Sequence, residues 1–293
     1  MPSGILLLDK PHGLSSNAAL QRVRALYARV KAGHVGSLDP LATGMLPICL
    51  GEATKIAGDL LEGRKCYRFT IALGAATSTG DAEGEVTQTA AVPELGAEAV
   101  EAVLAQWRGA RQQVPPMYSA IKRGGQPLYR LARQGVSVPR SARAIEISEL
   151  TLVHLDAAAL ELETVCSKGT YVRVLAEDIA RALGTCGHVA ALRRLWVEPF
   201  AAQPMQTLEA LAASRASEGA PPLLAIDWPL QHLPRLELDA DAAERLVLGR
   251  KVATGTAPAH RVRVYDSDGN LMALGEVDAA GMLQPRRLIH AEE

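Results

Sequence analysis

The sequence predicts an α+β fold, with a mixed and largely antiparallel sheet and a small β-rich tail. Three observations carry this expectation. Strand-like alternation recurs more often than the helices needed to cross over between parallel strands. At 293 residues and roughly 150 residues per domain, the chain has room for about two domains. Residues 217–236 shift toward Pro, Gly and small side chains and read as a linker between them.

The elements follow in order along the chain. Residues 4–8 read as a buried strand, and Pro11-His12-Gly13 as a turn. Ser15 or Ser16 can cap a helix whose apolar residues Leu20, Val23, Tyr27 and Val30 recur every three to four, with Gly33 ending it. Residues 33–51 hold Gly33, Gly36, Gly44 and Gly51 with Pro40 and Pro47, and read as a long structured loop of the usually functional kind. Residues 65–74 alternate as a strand, with Tyr67, Phe69, Ile71 and Leu73 on one face. A short amphipathic helix is expected over 96–107, and strands over 145–153 and 160–166. The turn Lys168-Gly169 precedes a helix from Tyr171 to Leu183, stopped by Gly184. A further helix covers 207–215. Beyond the linker come a short helix (240–248) and strands near 261–266, 271–277 and 283–289, the first two joined by the hairpin turn Asp268-Gly269-Asn270. No internal repeat is visible.

Composition excludes several classes. A chain with 48% hydrophobic and 22% charged residues is not disordered. No apolar run approaches the ~18 to 20 residues of a membrane span. The N-terminus reaches Asp9 after four consecutive apolar side chains, too few for an export signal, so a cytoplasmic chain is expected. Cys49, Cys66, Cys166 and Cys186 lie far apart, with no metal-ligand spacing to the histidines. They read as small buried apolar residues, and no metal is expected.

Charge is segregated although the net charge is −1. Residues 108–143 carry Arg108, Arg111, Lys122, Arg123, Arg130, Arg133, Arg140 and Arg143, with no Asp or Glu. Like charges this dense repel one another, which suits either a mobile arm awaiting a polyanion or a solvated basic loop. Arg22, Arg24, Arg29 and Lys31 form a second cluster, on the first expected helix.

The glycine-rich loop is neither a phosphate loop nor a dinucleotide fingerprint, and no nucleophile elbow is present. It offers Asp39, held between Leu38 and Pro40, with His34 five residues before it. Asp before Pro is biased to an extended backbone, which fixes the carboxylate's direction; a turn-capping carboxylate is the ordinary alternative. Tyr67 is either a core aromatic or a ring exposed for stacking on a base. Arg173 opens a helix, where the dipole disfavours a cation. It therefore has a carboxylate partner, a phosphate contact, or a merely exposed position. His34 is open to an ordinary hydrogen-bonded role.

Taken together these residues resemble a known family. Leu8-Asp9-Lys10-Pro11-His12-Gly13-Leu14-Ser15-Ser16 resembles the opening Lys-Pro motif of the TruB-type pseudouridine synthases. The segment from Ala32 to Gly44 is similar to their Gly-His-x-Gly-Thr-Leu-Asp-Pro-x-Ala-Thr-Gly signature, departing at Ser37, where Thr is common. Lys65-Cys66-Tyr67, the run from Ser167 to Arg173, and Leu192-Arg193-Arg194 match later motifs in the same order. The basic arm, with Val114-Pro115-Pro116-Met117-Tyr118-Ser119-Ala120, resembles the RNA-clasping insertion of the bacterial tRNA pseudouridine-55 group. The resemblance is strong over residues 4–200. The tail more weakly resembles a PUA-like RNA-binding domain.

The resemblance implies a synthase catalytic domain over 1–230, with its insertion at about 108–143, and a PUA-like domain over 236–293. It implies isomerisation of uridine 55 in the tRNA T loop, a reaction that needs no cofactor, with the base flipped out of its stack. Asp39 would be the nucleophile, attacking the ribose or the uracil ring, with Arg173 holding its pKa down. Tyr67 would stack on the uracil and help remove the carbon-5 proton. Tyr171 and Leu192 would complete the pocket, and His34 would contact the target loop. Lys122, Arg123, Arg130 and Arg133 would meet RNA phosphates. The implied partner is the tRNA T-arm stem-loop, bound by a monomer with no obligate protein partner and no membrane. Guide-RNA-dependent relatives would be expected to lack the arm. A tRNA-folding chaperone with secondary or no synthase activity is the reading from another class.

Overall fold

The computed structural model describes residues 2–217, 219 and 221–290. The first part of the chain forms β1 (Gly4–Lys10), α1 (Ser16–Leu26), β2 (Ala32–His34), β3 (Thr43–Leu50), α2 (Ala57–Leu60) and β4 (Lys65–Leu73). There follow β5 (Ala75–Thr77), β6 (Val86–Thr89), α3 (Ala97–Trp107), β7 (Gly109–Gln113), β8 (Lys122–Arg123), β9 (Gln126–Pro127) and α4 (Leu128–Arg133). β10 (Arg143–Asp156), β11 (Ala159–Cys166), α5 (Val172–Ala182), β12 (Gly187–Val197) and α6 (Leu208–Ser217) complete this part.

The main sheet runs β1-β3-β12-β4-β11-β10-β7, with β2 beside β3. Every pairing is antiparallel except a short parallel contact of β12 with β3, at Arg193↔Thr43 and Arg194↔Gly44. The apolar run at the start of β1 has no polar alternation because both faces are covered. Leu6 and Leu8 face one core with α1, α3, α5 and α6, while Ile5 and Leu7 face a second. The expected α+β architecture with a largely antiparallel sheet is what forms.

Three expectations need correction. Residues 33–51 are not one loop: β3 is a central strand, with Met45, Leu46, Ile48, Cys49 and Leu50 buried. Gly44 and Pro47 hide it from periodicity. Pro47 is tolerated because Leu7 opposite sends its C=O to the Gln206 N–H, so no ladder bond to β1 is lost. The first helix ends at Leu26, not Gly33, because Ala28 and Arg29 take left-handed φ of 52° and 56°. Arg24 bonds the freed carbonyls of Val30 and Arg29, so of the second basic cluster only Arg22 and Arg24 are helical. Finally, residues 221–233 do not behave as a free linker. Ile5 and Leu224 exchange two backbone hydrogen bonds at 2.9 Å, and Trp228 stacks on Phe200 with ring centroids 5.5 Å apart.

The basic stretch carries regular elements. β7 forms the sheet edge against β10. β8 and β9 make a hairpin over Gly124-Gly125, both at positive φ, and Leu128 anchors α4 by burial. Two of its cations serve the body: Arg108 bonds Glu101 and the Leu150 carbonyl, and Arg111 lies over Trp107.

The tail forms β13 (Arg235–Glu237), α7 (Ala240–Val247), β14 (Val252–Ala253), β15 (Ala259–Tyr265), β16 (Leu271–Val277) and β17 (Met282–Leu288). Its five strands order as β13-β15-β16-β17-β14 around a core of its own. It docks on the body through Leu274 and Ile289, which enter the second core, and through Arg261, which holds Asp59 bidentately at 3.0 and 2.8 Å. All four cysteines are buried and free. Among the described residues no helix is long and apolar enough to cross a membrane.

Candidate active site

The loop carrying Asp39 is fixed from below by α1. Ser15 caps the helix, accepting the Ala18 N–H at 3.1 Å. Ser16, the other candidate cap, instead grips Leu38 at both backbone groups: its hydroxyl accepts the Leu38 N–H at 2.7 Å and donates to the Leu38 C=O at 2.9 Å. Asp39, the next residue, has its C=O bonded by the Ala42 N–H at 3.0 Å. Lys10, fully buried, ties the Pro11-His12-Gly13 turn to this loop, donating to the Leu14, Pro11 and Pro40 carbonyls. Burial pulls its ammonium down to about 8, with Asp39 pushing it back up.

Asp39 opens into a cavity of about 810 Å³ between this loop, β4, β12, the start of α5 and the Ser119-Ala120 segment. Tyr67, Tyr171, Leu192 and Arg194 line the walls, and Lys65, Arg143 and Lys168 line it with cationic side chains. The cleft has aromatic and aliphatic sides, the Asp39 carboxylate, a second carboxylate at Glu62 that pairs with Lys168, and a surplus of positive charge. Such a site suits a planar polar ring attached to a phosphate backbone.

Arg173 sets the electrostatics. It reaches Asp39 at 3.0 Å and Asp81 at 3.6 Å, and donates to the Thr79 and Tyr118 carbonyls at 2.7 Å each. Its place at a helix start is thus explained by two carboxylates. Asp81 is buried and accepts from Thr79 Oγ1 at 2.5 Å and the Glu83 N–H at 3.1 Å. Arg173 lowers the Asp39 pKa as expected, but the net shift is upward. Burial raises its pKa above the ordinary carboxylate value, and the Asp81 charge adds to this, together outweighing Arg173 and Lys10. Tyr67 and Tyr171 are likewise pushed up by burial.

Comparison with known proteins fits this site. A model of the N-terminal domain of TruB family pseudouridylate synthases matches residues 24–172. The tRNA pseudouridine synthase B of Chromohalobacter salexigens is 48% identical over 290 residues, covering 98% of this chain and 94% of that protein. The chain belongs to the TruB family of pseudouridylate synthases. The tRNA pseudouridine synthase B of Stutzerimonas stutzeri is also 48% identical, over 99% of this chain and 96% of its own. Models of TruB-family C-terminal domains match residues 173–225 and 234–289. Among solved structures, the fold is similar to that in a crystal structure of a Cbf5-Nop10-Gar1 complex. The TM-score is 0.73 at 21% identity, over 98% of this chain and 85% of that one.

In this family member Asp39, Tyr67, Tyr171, Arg173 and Leu192 share one cavity, as a common site requires. His34 does not line it. It sits half-buried on β2, its Nδ1 without a partner and its pKa lowered by burial and by Arg194. Lys122, Arg123, Arg130 and Arg133 are exposed on the β8–β9 hairpin and α4, away from the cavity lining. Residue-by-residue reasoning missed Asp81, Ser16's grip on Leu38, and the roles of Lys10 and Arg194. Asp81 lies in an ordinary-looking turn, Ser78 to Gly84, and only its contact with Arg173 marks it.

Proposed function

We propose that this TruB-family synthase isomerises uridine 55 in the T loop of tRNA, with Asp39 as its nucleophile. The observation that carries the reading is one carboxylate held by Arg173 at 3.0 Å in a cavity walled by Tyr67, Tyr171 and Leu192. The uridine leaves its stack and enters that cavity, with Tyr67 against the ring. Asp39 in its ionised form opens the reaction by attack. The bond from the ribose to nitrogen 1 breaks, the uracil turns, and a bond to carbon 5 forms. The carbon-5 proton departs to a base, a step in which we propose that Tyr67 helps, and nitrogen 1 gains a proton. Substrate and product are isomers, so atoms and electrons balance with no oxidant or group donor.

The exposed cations of the β8–β9 hairpin and α4 meet the phosphates of the T-arm stem-loop. We read residues 1–230 as the catalytic part and 236–293 as an RNA-binding tail docked against it, in a cytoplasmic monomer. The test is tritium release from tRNA transcript labelled at carbon 5 of uridine, comparing wild type with Asp39→Ala. Release near one per tRNA by wild type alone supports the reading. No release by either protein, despite tight tRNA binding, would replace it with a binding role.

A further inference from the structure

Arg194 is the largest fully buried side chain among the described residues, at 1% exposure. Its neighbour Arg193 pairs with Asp9 at 2.8 Å, whereas no carboxylate among the described residues stands at ion-pair distance from Arg194. A buried cation without an acid is costly to keep and calls for an explanation in what it holds.

It holds three things. Nε donates to the Met45 carbonyl at 2.7 Å and Nη2 to the Gly36 carbonyl at 3.0 Å. These two carbonyls bracket the loop that carries Asp39. The packing is close: a Cβ on Gly36 would come within 3.2 Å of Nη1, and one on Gly44 would overlap the Arg194 backbone carbonyl. The third is Tyr67, the cross-strand partner of Arg194 in the β4–β12 register. As directly opposed residues of adjacent strands, their side chains leave the sheet on the same face, and both line the cavity.

We propose that Arg194 is a positioning residue of this site, anchored by the two loop carbonyls and acting through the Tyr67 hydroxyl. It fixes that hydroxyl relative to Asp39, so that both meet the uracil in one geometry. The inference rests on the synthase reading above and adds a residue to it. Arg194 does its work without contacting the RNA backbone, so its loss falls on turnover and not on affinity.

The experiment is a double-mutant cycle of Arg194→Gln and Tyr67→Phe in the full chain. It is read by single-turnover pseudouridine formation, tRNA dissociation constant and melting temperature. Arg194→Gln is expected to lose about 100-fold in rate, the scale of a misplaced reacting group, while the dissociation constant moves less than about threefold. In the Tyr67→Phe background the same substitution is expected to cost less than about threefold, since groups acting as one unit are not additive. Arg194→Lys keeps the charge but not the fork and is expected to recover part of the rate. If Arg194→Gln does not fold, Arg194→Lys is carried through the same cycle. Full additivity with Tyr67→Phe, or affinity lost in step with rate, would overturn the inference. A wild-type protein that makes no pseudouridine would instead overturn the synthase reading, which the same assay reports separately.

Discussion

The Arg173 guanidinium stands 3.0 Å from the Asp39 carboxylate and is itself only 6% exposed. It faces Asp81 as well, at 3.6 Å, so one buried cation is shared between two acids. The Asp81 charge raises the Asp39 pKa, and the cation between the two opposes that. Arg173 is the largest influence lowering the Asp39 pKa, against a burial effect that is larger still.

Replacing Arg173 by Gln removes the lowering influence and leaves the raising ones. The Asp39 pKa then climbs further, and the ionised carboxylate is lost at a higher pH than in wild type. The acid limb of the single-turnover rate profile should therefore move to higher pH. Turnover at neutral pH should fall by about 100-fold or more, because positioning is lost as well. A lower rate with an unmoved acid limb would mean that Arg173 positions Asp39 without governing its ionisation.

Asp39 itself should cost the protein stability. Its folded-state pKa lies above the ordinary carboxylate value, so the folded chain holds the proton more tightly than the unfolded one. The stabilising contribution is full below the unfolded pKa and is lost as pH rises through the folded pKa. Asp39→Asn should abolish turnover and melt slightly higher than wild type at neutral pH, by a margin that solvent screening keeps small because the carboxylate is 42% exposed. The gap should close near pH 4, where wild-type Asp39 is increasingly protonated. A variant that melts lower at neutral pH would show that pairing with Arg173 outweighs the burial cost.

Much of the fold was legible because its signals are local. Alternation at Tyr67, Phe69, Ile71 and Leu73 marks β4, and Phe69, Ile71 and Leu73 are buried as it implies. Gly184 stops α5, at φ 83°. What stayed hidden depends on contacts distant in sequence. β12 alternates poorly because Arg194, on its buried side, is polar and Leu192 faces the cavity. β3 reads as a loop because Gly44 and Pro47 are breakers in isolation, yet each fits a neighbour that only the folded sheet supplies. In the same way Asp39 and Tyr67 stood out as residue types in motifs, while Asp81 became visible only through Arg173. Arg173 lowers the Asp39 pKa as a counter-ion should, and the net shift is upward because desolvation, which no sequence pattern reports, outweighs it.

Gly44 gives a steric test of the loop. Its φ is 98°, and a Cβ there would overlap the Arg194 carbonyl where β3 and β12 run parallel. Gly44→Ala should cost about 2 to 5 kcal/mol, from the left-handed backbone and the forced separation of the strands. Gly13 has a similar φ of 81° but no atom within 4 Å of its Cβ position. Gly13→Ala should therefore cost only the backbone share, about 1 to 2 kcal/mol. Denaturant melts of the two variants make the comparison, and equal losses would remove the Arg194 contact from the account.

The basic hairpin can be tested through salt alone. Lys122 and Arg123 sit at its tip beside the Gly124-Gly125 turn, exposed, with Arg123 bonding the Pro139 carbonyl through one nitrogen. Each phosphate contact releases a counterion, so log affinity falls with log salt by about 0.7 to 0.9 per contact. Replacing both by Ala should weaken tRNA binding and flatten that slope by about 1.4 to 1.8. Arg108 provides the contrast, since its guanidinium is occupied by Glu101 and the Leu150 carbonyl. Arg108→Ala should lower the melting temperature and leave the slope within error of wild type. If the hairpin pair leaves the slope unchanged, these two cations do not touch the RNA, and the phosphate contacts fall to Arg130 and Arg133 on α4 or to Arg143 in the cavity lining.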